Sequence, residues 1–128
     1  MTGRVIKPAN IALPVGVPIS PGKMAGNIIF TSGLCAFDAE GNIVGIGDIR
    51  AQTRQTLENV MAVLRVAGAG AQDVVKTVVY LTDFANYDGM NEVYRDYFKT
   101  DYPARACVSC ELFRKDLLVE IEAVAVLA

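Results

Sequence analysis

Hydrophobic positions recur along this chain with two different periods, and the changes of period mark its elements. Asn27–Ser32 (NIIFTS) is short, apolar, β-branched and bounded by Gly26 and Gly33, so it reads as a buried strand. The Pro/Gly-rich stretch before it, Pro14 to Gly26, is the one long irregular segment, either a surface connection or a loop lining a site. Asp38–Asn42 is turn-like and leads to a short strand around Ile43–Gly45. Asp48 has the character of an N-cap for a helix that ends at Gly68, a residue type common just past a helix C-terminus. Ile49, Thr53, Leu57, Val60, Met61 and Leu64 form one helical stripe; Arg50, Arg54, Glu58 and Arg65 form the solvated side.

Val74–Leu81 (VVKTVVYL) reads as a second central strand, and a second helix follows from Asn86 to Phe98. Tyr87, Met90, Tyr94 and Phe98 make its inward stripe, and Asn91 falls on the same stripe, where an amide must find partners. In the last third, Arg105–Cys110 and Leu117–Val126 alternate as strands and are expected to pair as a hairpin. A turn centred near Phe113–Arg114 sets Cys107 opposite Glu120 and Arg105 opposite Glu122. That register puts the arginine and both carboxylates on one sheet face, and a slip by one residue reverses it. The order β-β-α-β-α-β-β predicts an α+β fold, a sheet with two helices on one face. Val74–Leu81 is apolar on both sides, which two helices cannot cover, so a homo-oligomer with its site near the subunit boundary is expected.

Composition narrows the picture. The 128 residues suit a single domain, and 52% hydrophobic with 20% charged content suits a globular core. A net charge of −2, with no Lys/Arg run, speaks against nucleic acid as a partner. No apolar run is long enough to span a membrane, and the first residues lack a signal-like apolar stretch. Three cysteines, an odd number, fit a reducing, cytoplasmic setting better than a disulfide framework. Histidine is absent. This removes Ser-His and Cys-His nucleophile pairs and the commonest zinc ligand, so neither a metal nor an organic cofactor is expected.

What remains for chemistry centres on Arg105 and Glu120. Arg105 sits in an apolar stretch where an unpaired guanidinium is expensive. It either forms a salt bridge with Glu120 or Glu122 that fixes the hairpin, or grips a substrate carboxylate with its planar fork. Glu120 is the candidate for holding and partly deprotonating a water. Cys107 and Cys110 have the C-x-x-C spacing, but in a strand they point to opposite faces. Cys35 reads as a small buried hydrophobe. Ser32 either caps a strand end or presents its hydroxyl to a pocket.

Five segments together resemble the RidA (YjgF) family of imine/enamine deaminases: Gly26-Asn27-Ile28-Ile29-Phe30-Thr31-Ser32-Gly33, Ala51-Gln52-Thr53-Arg54-Gln55-Thr56-Leu57-Glu58-Asn59-Val60, Asp73-Val74-Val75-Lys76-Thr77, Pro103-Ala104-Arg105-Ala106-Cys107-Val108 and Glu120-Ile121-Glu122-Ala123. The resemblance implies a chorismate-mutase-like fold, a homotrimer with sites between subunits, and cofactor-free hydrolysis of small enamines or imines such as 2-aminoacrylate to a 2-keto acid and ammonia. It assigns Arg105 to the carboxylate, Glu120 to the water, and Ile19, Ser32, Tyr87, Asn91 and Cys107 to the pocket. Ile19 stands where the family loop carries tyrosine, Val17 where it carries glycine and Leu34 where it carries glutamine, which implies a more apolar pocket. Pro21-Gly22, Gly47-Asp48, Asp83-Phe84-Ala85-Asn86-Tyr87 and Pro103-Ala104-Arg105-Ala106-Cys107-Val108-Ser109-Cys110 are similar to the aminoacrylate deaminase branch of pyrimidine breakdown, while aminomuconate-type deaminases fit as well. Other readings are a regulatory or small-carboxylate-binding trimer without turnover, a ribonuclease, and a chorismate-type enzyme.

Overall fold

The computed structural model describes residues 3–12 and 16–128. Helix α1 runs Ile49–Val66, and the Asp48 carboxylate accepts the Ala51 N–H at 3.1 Å, as an N-cap does. Beyond its end Gly68 has φ +82°, where a Cβ would be strained. All six residues of the apolar stripe are buried. The charged side is outward, yet two of its members join helix α2, Tyr87–Phe98: Arg50 pairs with Glu92 and Arg54 with Asp96. All four side chains are more than half exposed, so these pairs register the helices while adding little stability. No helix among the described residues is long and apolar enough to cross a membrane.

Six strands form one sheet: β1 Arg4–Ile6, β2 Gly22–Ala25, β3 Ile28–Thr31, β4 Val74–Leu81, β5 Ala104–Ser109 and β6 Val119–Val126, in the order β1-β2-β3-β6-β4-β5. The expected strand around Ile43–Gly45 does not form; Ile43 makes a single bridge to Phe37. Its place is taken by β2, within the stretch read as irregular, and β1 adds an unexpected edge. Gly22-Lys23-Met24-Ala25 has no apolar alternation, and the backbone ladder to β3 is what extends it. Pro14 and Val15 of that stretch lie outside the described residues.

The C-terminal hairpin is also overturned. β5 and β6 do not touch as partners, because β4 lies between them, parallel to β5 and antiparallel to β6. The unit β4–α2–β5 is a strand–helix–strand crossover, which returns the chain parallel to its starting strand. β5 thereby takes one side of β4 and leaves the other to β6. Thr77 pairs with both Arg105 and Ala123, Tyr80 with Glu120 and Val78 with Glu122. Partners in register point to one side, so Arg105 shares a face with Thr77 while both glutamates share the opposite face with Val78 and Tyr80. The expected grouping of Arg105 with the two carboxylates on one face therefore fails.

The helices cover the Thr77 side, where Leu57, Leu64, Met90, Tyr94 and Phe98 pack on Val79, Leu81, Ile121, Ala123 and Ala125. The Thr77 hydroxyl meets Tyr94 Oη at 2.8 Å. A register shift between Val74 and Lys76 brings Val74 to the covered side as well. Among the described residues no helix covers the glutamate side, which stays apolar: Phe30 is 49%, Val108 41% and Ile28 39% exposed.

Candidate active site

Arg105 rises from β5 into a cage made by one face of α2. Its Nη1 donates to Asn91 Oδ1 at 2.8 Å and, weakly, towards Met90 Sδ at 4.0 Å; its Nη2 donates to Tyr87 Oη at 3.1 Å. The guanidinium carbon lies 4.8 Å from the Tyr94 ring centroid and 5.6 Å from that of Tyr87, within cation–π range. No carboxylate pairs with Arg105 among the described residues, which removes the salt bridge to Glu120 or Glu122 as its explanation. Among the described residues Nε–H has no acceptor and Nη2 has one, Tyr87, which leaves donors free for a carboxylate. The cage holds the cation by stacking and neutral acceptors, so its charge is oriented but not neutralised.

Two cavities meet at this residue. One, of about 300 Å³, has Tyr87, Asn91, Tyr94, Tyr102 and Arg105 among its lining; the other, of about 450 Å³, is lined by Phe84, Tyr87, Arg105 and Cys107. Cys107 follows Arg105 on the same face. Burial raises its thiol while Arg105 opposes the shift. Burial likewise raises the Tyr94 phenol, against the pull of Thr77 and Arg105.

Glu120 belongs to a second group across the sheet. The register of β3 on β6 slips by one residue between the Phe30–Val124 pair and the Leu34–Ile121 bridge. Thr31 fills the gap, its Oγ1 accepting the Ala123 N–H at 3.0 Å. Such an irregularity re-aims the residues that follow it. Gly33 then lies against Glu120, where a Cβ would collide with the carboxylate, and Cys35 Sγ reaches Glu120 Oε1 at 3.4 Å. Burial first, then Glu120, raise the Cys35 thiol well above its ordinary range, so it stays protonated and donates. Ser32 donates its hydroxyl to the Ser20 carbonyl and its N–H to that of Pro21, tying the strand end to the loop that carries Ile19. Ile19 itself is 49% exposed. Glu122 accepts from Tyr80 Oη at 2.6 Å; this bond, more than burial, pushes the Tyr80 phenol up to about 12.

The structure thus brings together Arg105, Tyr87, Asn91 and Cys107, sets Glu120 apart from them against Gly33 and Cys35, and ties Ser32 to the Ser20–Pro21 backbone. Within one chain the two groups are divided by the sheet. Sequence reasoning missed Tyr94 and Met90 as the floor of the cage, and Gly33 and Cys35 as neighbours of Glu120. The first pair was legible as the continuation of the Tyr87–Asn91 stripe; the second depended on a slipped register that no residue pattern announces. Chemically, one face offers an oriented, unneutralised cation, and the other a half-buried carboxylate held beside a protonated thiol.

Comparison with known proteins gives the same outline. The family model described as Endoribonuclease L-PSP matches residues 11–127. A Yersinia pestis protein, YyfA of the conserved Rid protein family, is 37% identical, with a TM-score of 0.91 over 98% of this chain and 100% of that one. RidA from the Antarctic bacterium Psychrobacter sp. is 33% identical, with a TM-score of 0.88 over 97% and 99%. Escherichia coli TdcF, solved with bound serine, is 34% identical, with a TM-score of 0.87 over 98% and 99%.

Proposed function

Since the chain belongs to the Rid (YjgF) family, the group described as endoribonuclease L-PSP, we propose that it hydrolyses small carboxylated imines and their enamine tautomers. The observation that carries this reading is the unpaired guanidinium of Arg105, stacked on Tyr94 and fixed by Asn91 beside two open cavities. A structural arginine in such a place would have found a carboxylate. Serine bound to TdcF, a small molecule with one carboxylate, supports the ligand class.

In the proposed reaction an enamine such as 2-aminoacrylate tautomerises to its imine, whose carboxylate lies on the free edge of Arg105. Glu120 holds a water and takes one of its protons as the oxygen adds to the imine carbon. That proton passes to the nitrogen to give the carbinolamine, which then collapses. The hydroxyl proton moves by way of Glu120 to the amine, the C–N bond breaks as the C=O bond forms, ammonia leaves and the 2-keto acid remains. The guanidinium keeps the carboxylate's charge from opposing attack and fixes the trajectory. These steps use no cofactor or metal.

Both residues can serve one substrate only if they come from different copies of the chain. We therefore place the sites between subunits of a homotrimer, with Glu120, Ser32 and Ile19 from one chain facing Arg105, Tyr87, Asn91 and Cys107 of the next. The uncovered apolar face, with Phe30, Ile28 and Val108, is the surface such an assembly would bury. The unpaired cysteine count suits action in the cytoplasm. A trimer that binds small carboxylates without turning them over is the second reading, because the Arg105 cage alone suffices for binding. Ribonuclease chemistry is disfavoured by the absence of histidine and the net charge of −2.

The test is ammonia release from a panel of enzymatically generated imino acids. Acceleration by the wild type and its loss in Arg105→Ala are expected. Tight carboxylate binding without acceleration of any imine would favour the second reading.

A further inference from the structure

We propose that Cys35 is a positioning residue for Glu120, its thiol holding the carboxylate in the orientation that meets the water. The inference deepens the function proposed above and rests on the role given there to Glu120. Three observations converge on it. The Cys35 Sγ lies 3.4 Å from Glu120 Oε1, and Cys35 is 5% exposed, so its thiol has no bulk water to donate to instead. Leu34 and Ile121 exchange both backbone bonds, at 2.9 and 3.0 Å, which sets the next residue, Cys35, directly across from Glu120. Asn59 of α1 donates from one amide nitrogen to the carbonyls of Cys35 and Phe37, both at 2.9 Å. The thiol is thus carried on a backbone clamped from the helix side and laddered from the sheet side.

Gly33 completes the arrangement. A side chain there would run into Oε2, Cδ and Cγ of Glu120, so the carboxylate needs this glycine to fold back towards Cys35. Oε1 is then engaged by the thiol, and Oε2 is the oxygen left for the water. A carboxylate free to rotate about its last torsion would spread over many orientations, and orientation is what a water-activating group supplies. Cysteine suits this place because its side chain packs as a small hydrophobe, remains protonated, and still offers one weak donor.

The experiment compares Cys35→Val, which keeps the volume and removes the donor, with Cys35→Ser, which keeps a donor, in the full chain. Glu120→Gln and the double variant Cys35→Val/Glu120→Gln are measured beside them, each with a melting curve. The expected result is a kcat for Cys35→Val lower by about tenfold at unchanged KM, with most of it restored in Cys35→Ser. The double variant should be no slower than Glu120→Gln alone, because both changes act on one group. A folded Cys35→Val enzyme with wild-type kcat overturns the proposal. So does a double variant in which the two losses multiply, or a Cys35→Ser enzyme as slow as Cys35→Val. If Glu120→Gln itself has normal kcat, the role of Glu120 falls and this inference with it. If Glu120→Gln is slow while Cys35→Val is normal, the positioning role alone falls.

Discussion

Arg105 and Glu120 stand on opposite faces of one sheet. Arg105 sits in register with Thr77, and Glu120 with Tyr80, three positions along β4 and so pointing the other way. The cation is caged against the helices and the carboxylate looks out from the uncovered side. This separation, and not proximity, organises the expectations that follow.

The two residues should fail differently. Arg105→Ala is expected to raise KM and lower kcat together, cutting kcat/KM by about 10²–10³-fold, since both binding and orientation are lost. Arg105→Lys should recover little, because a point charge lacks the planar fork. Glu120→Gln should depress kcat with KM nearly unchanged. Steady-state kinetics with melting curves decide this; folded variants of normal turnover would assign both residues to structure.

Asn91 offers a sharper probe of the cage. Its Oδ1 accepts from Arg105 at 2.8 Å without neutralising it. Asn91→Asp would place a carboxylate at that distance and give the guanidinium the partner it lacks. The variant should melt no lower than wild type while its KM rises by about tenfold or more, an internal anion competing with the substrate's. An unchanged KM would mean that Arg105 does not bind the substrate carboxylate.

Ile19 bears on substrate choice. An exposed isoleucine on the loop anchored by Ser32 offers contact to an apolar side chain and no hydrogen bond. Imines with a longer apolar chain should be preferred over 2-aminoacrylate, each useful methylene contributing about 1–3 kcal/mol. Ile19→Tyr should narrow the preference. If 2-aminoacrylate is fastest in both proteins, Ile19 does not select.

Tyr80 predicts a difference in alkaline stability. Its bond to Glu122 raises the phenol from 10.0 to about 12, above its unfolded value. The contribution is therefore complete below pH 10.0 and is lost as pH rises through about 12. Tyr80→Phe should melt below wild type at neutral pH, with the gap closing in that alkaline window. A gap that stays constant across the window would show that the bond contributes nothing that titrates.

Much of this architecture was legible from residue patterns, for reasons specific to each element. α1 announced itself through the Asp48 cap, the apolar stripe and Gly68, because local chemistry defines both of its ends. β2 did not, since its extended form comes from pairing with β3 and its side chains carry no alternation. Pairing between strands was the weakest point. Arg105–Cys110 and Leu117–Val126 are adjacent in sequence and both alternate, yet the α2 crossover hands β4 to both of them. The identity of Arg105 as a candidate survived that error because it rested on residue type. Its grouping with Glu120 on one face did not, because it rested on register.

The central claim is that a working site needs Arg105 from one chain and Glu120 from another, and mixing inactive variants tests it directly. Arg105→Ala and Glu120→Gln are each purified, combined under conditions that let subunits exchange, and assayed for ammonia release, with light scattering to follow the assembly. In a cyclic trimer of randomly mixed chains, about a quarter of the interfaces pair an intact Arg105 with an intact Glu120. Turnover should therefore rise from near background to about a quarter of wild type, with KM unchanged from wild type. Exchanged trimers that stay as inactive as their parents, or a wild-type chain that is active as a monomer, would contradict the account.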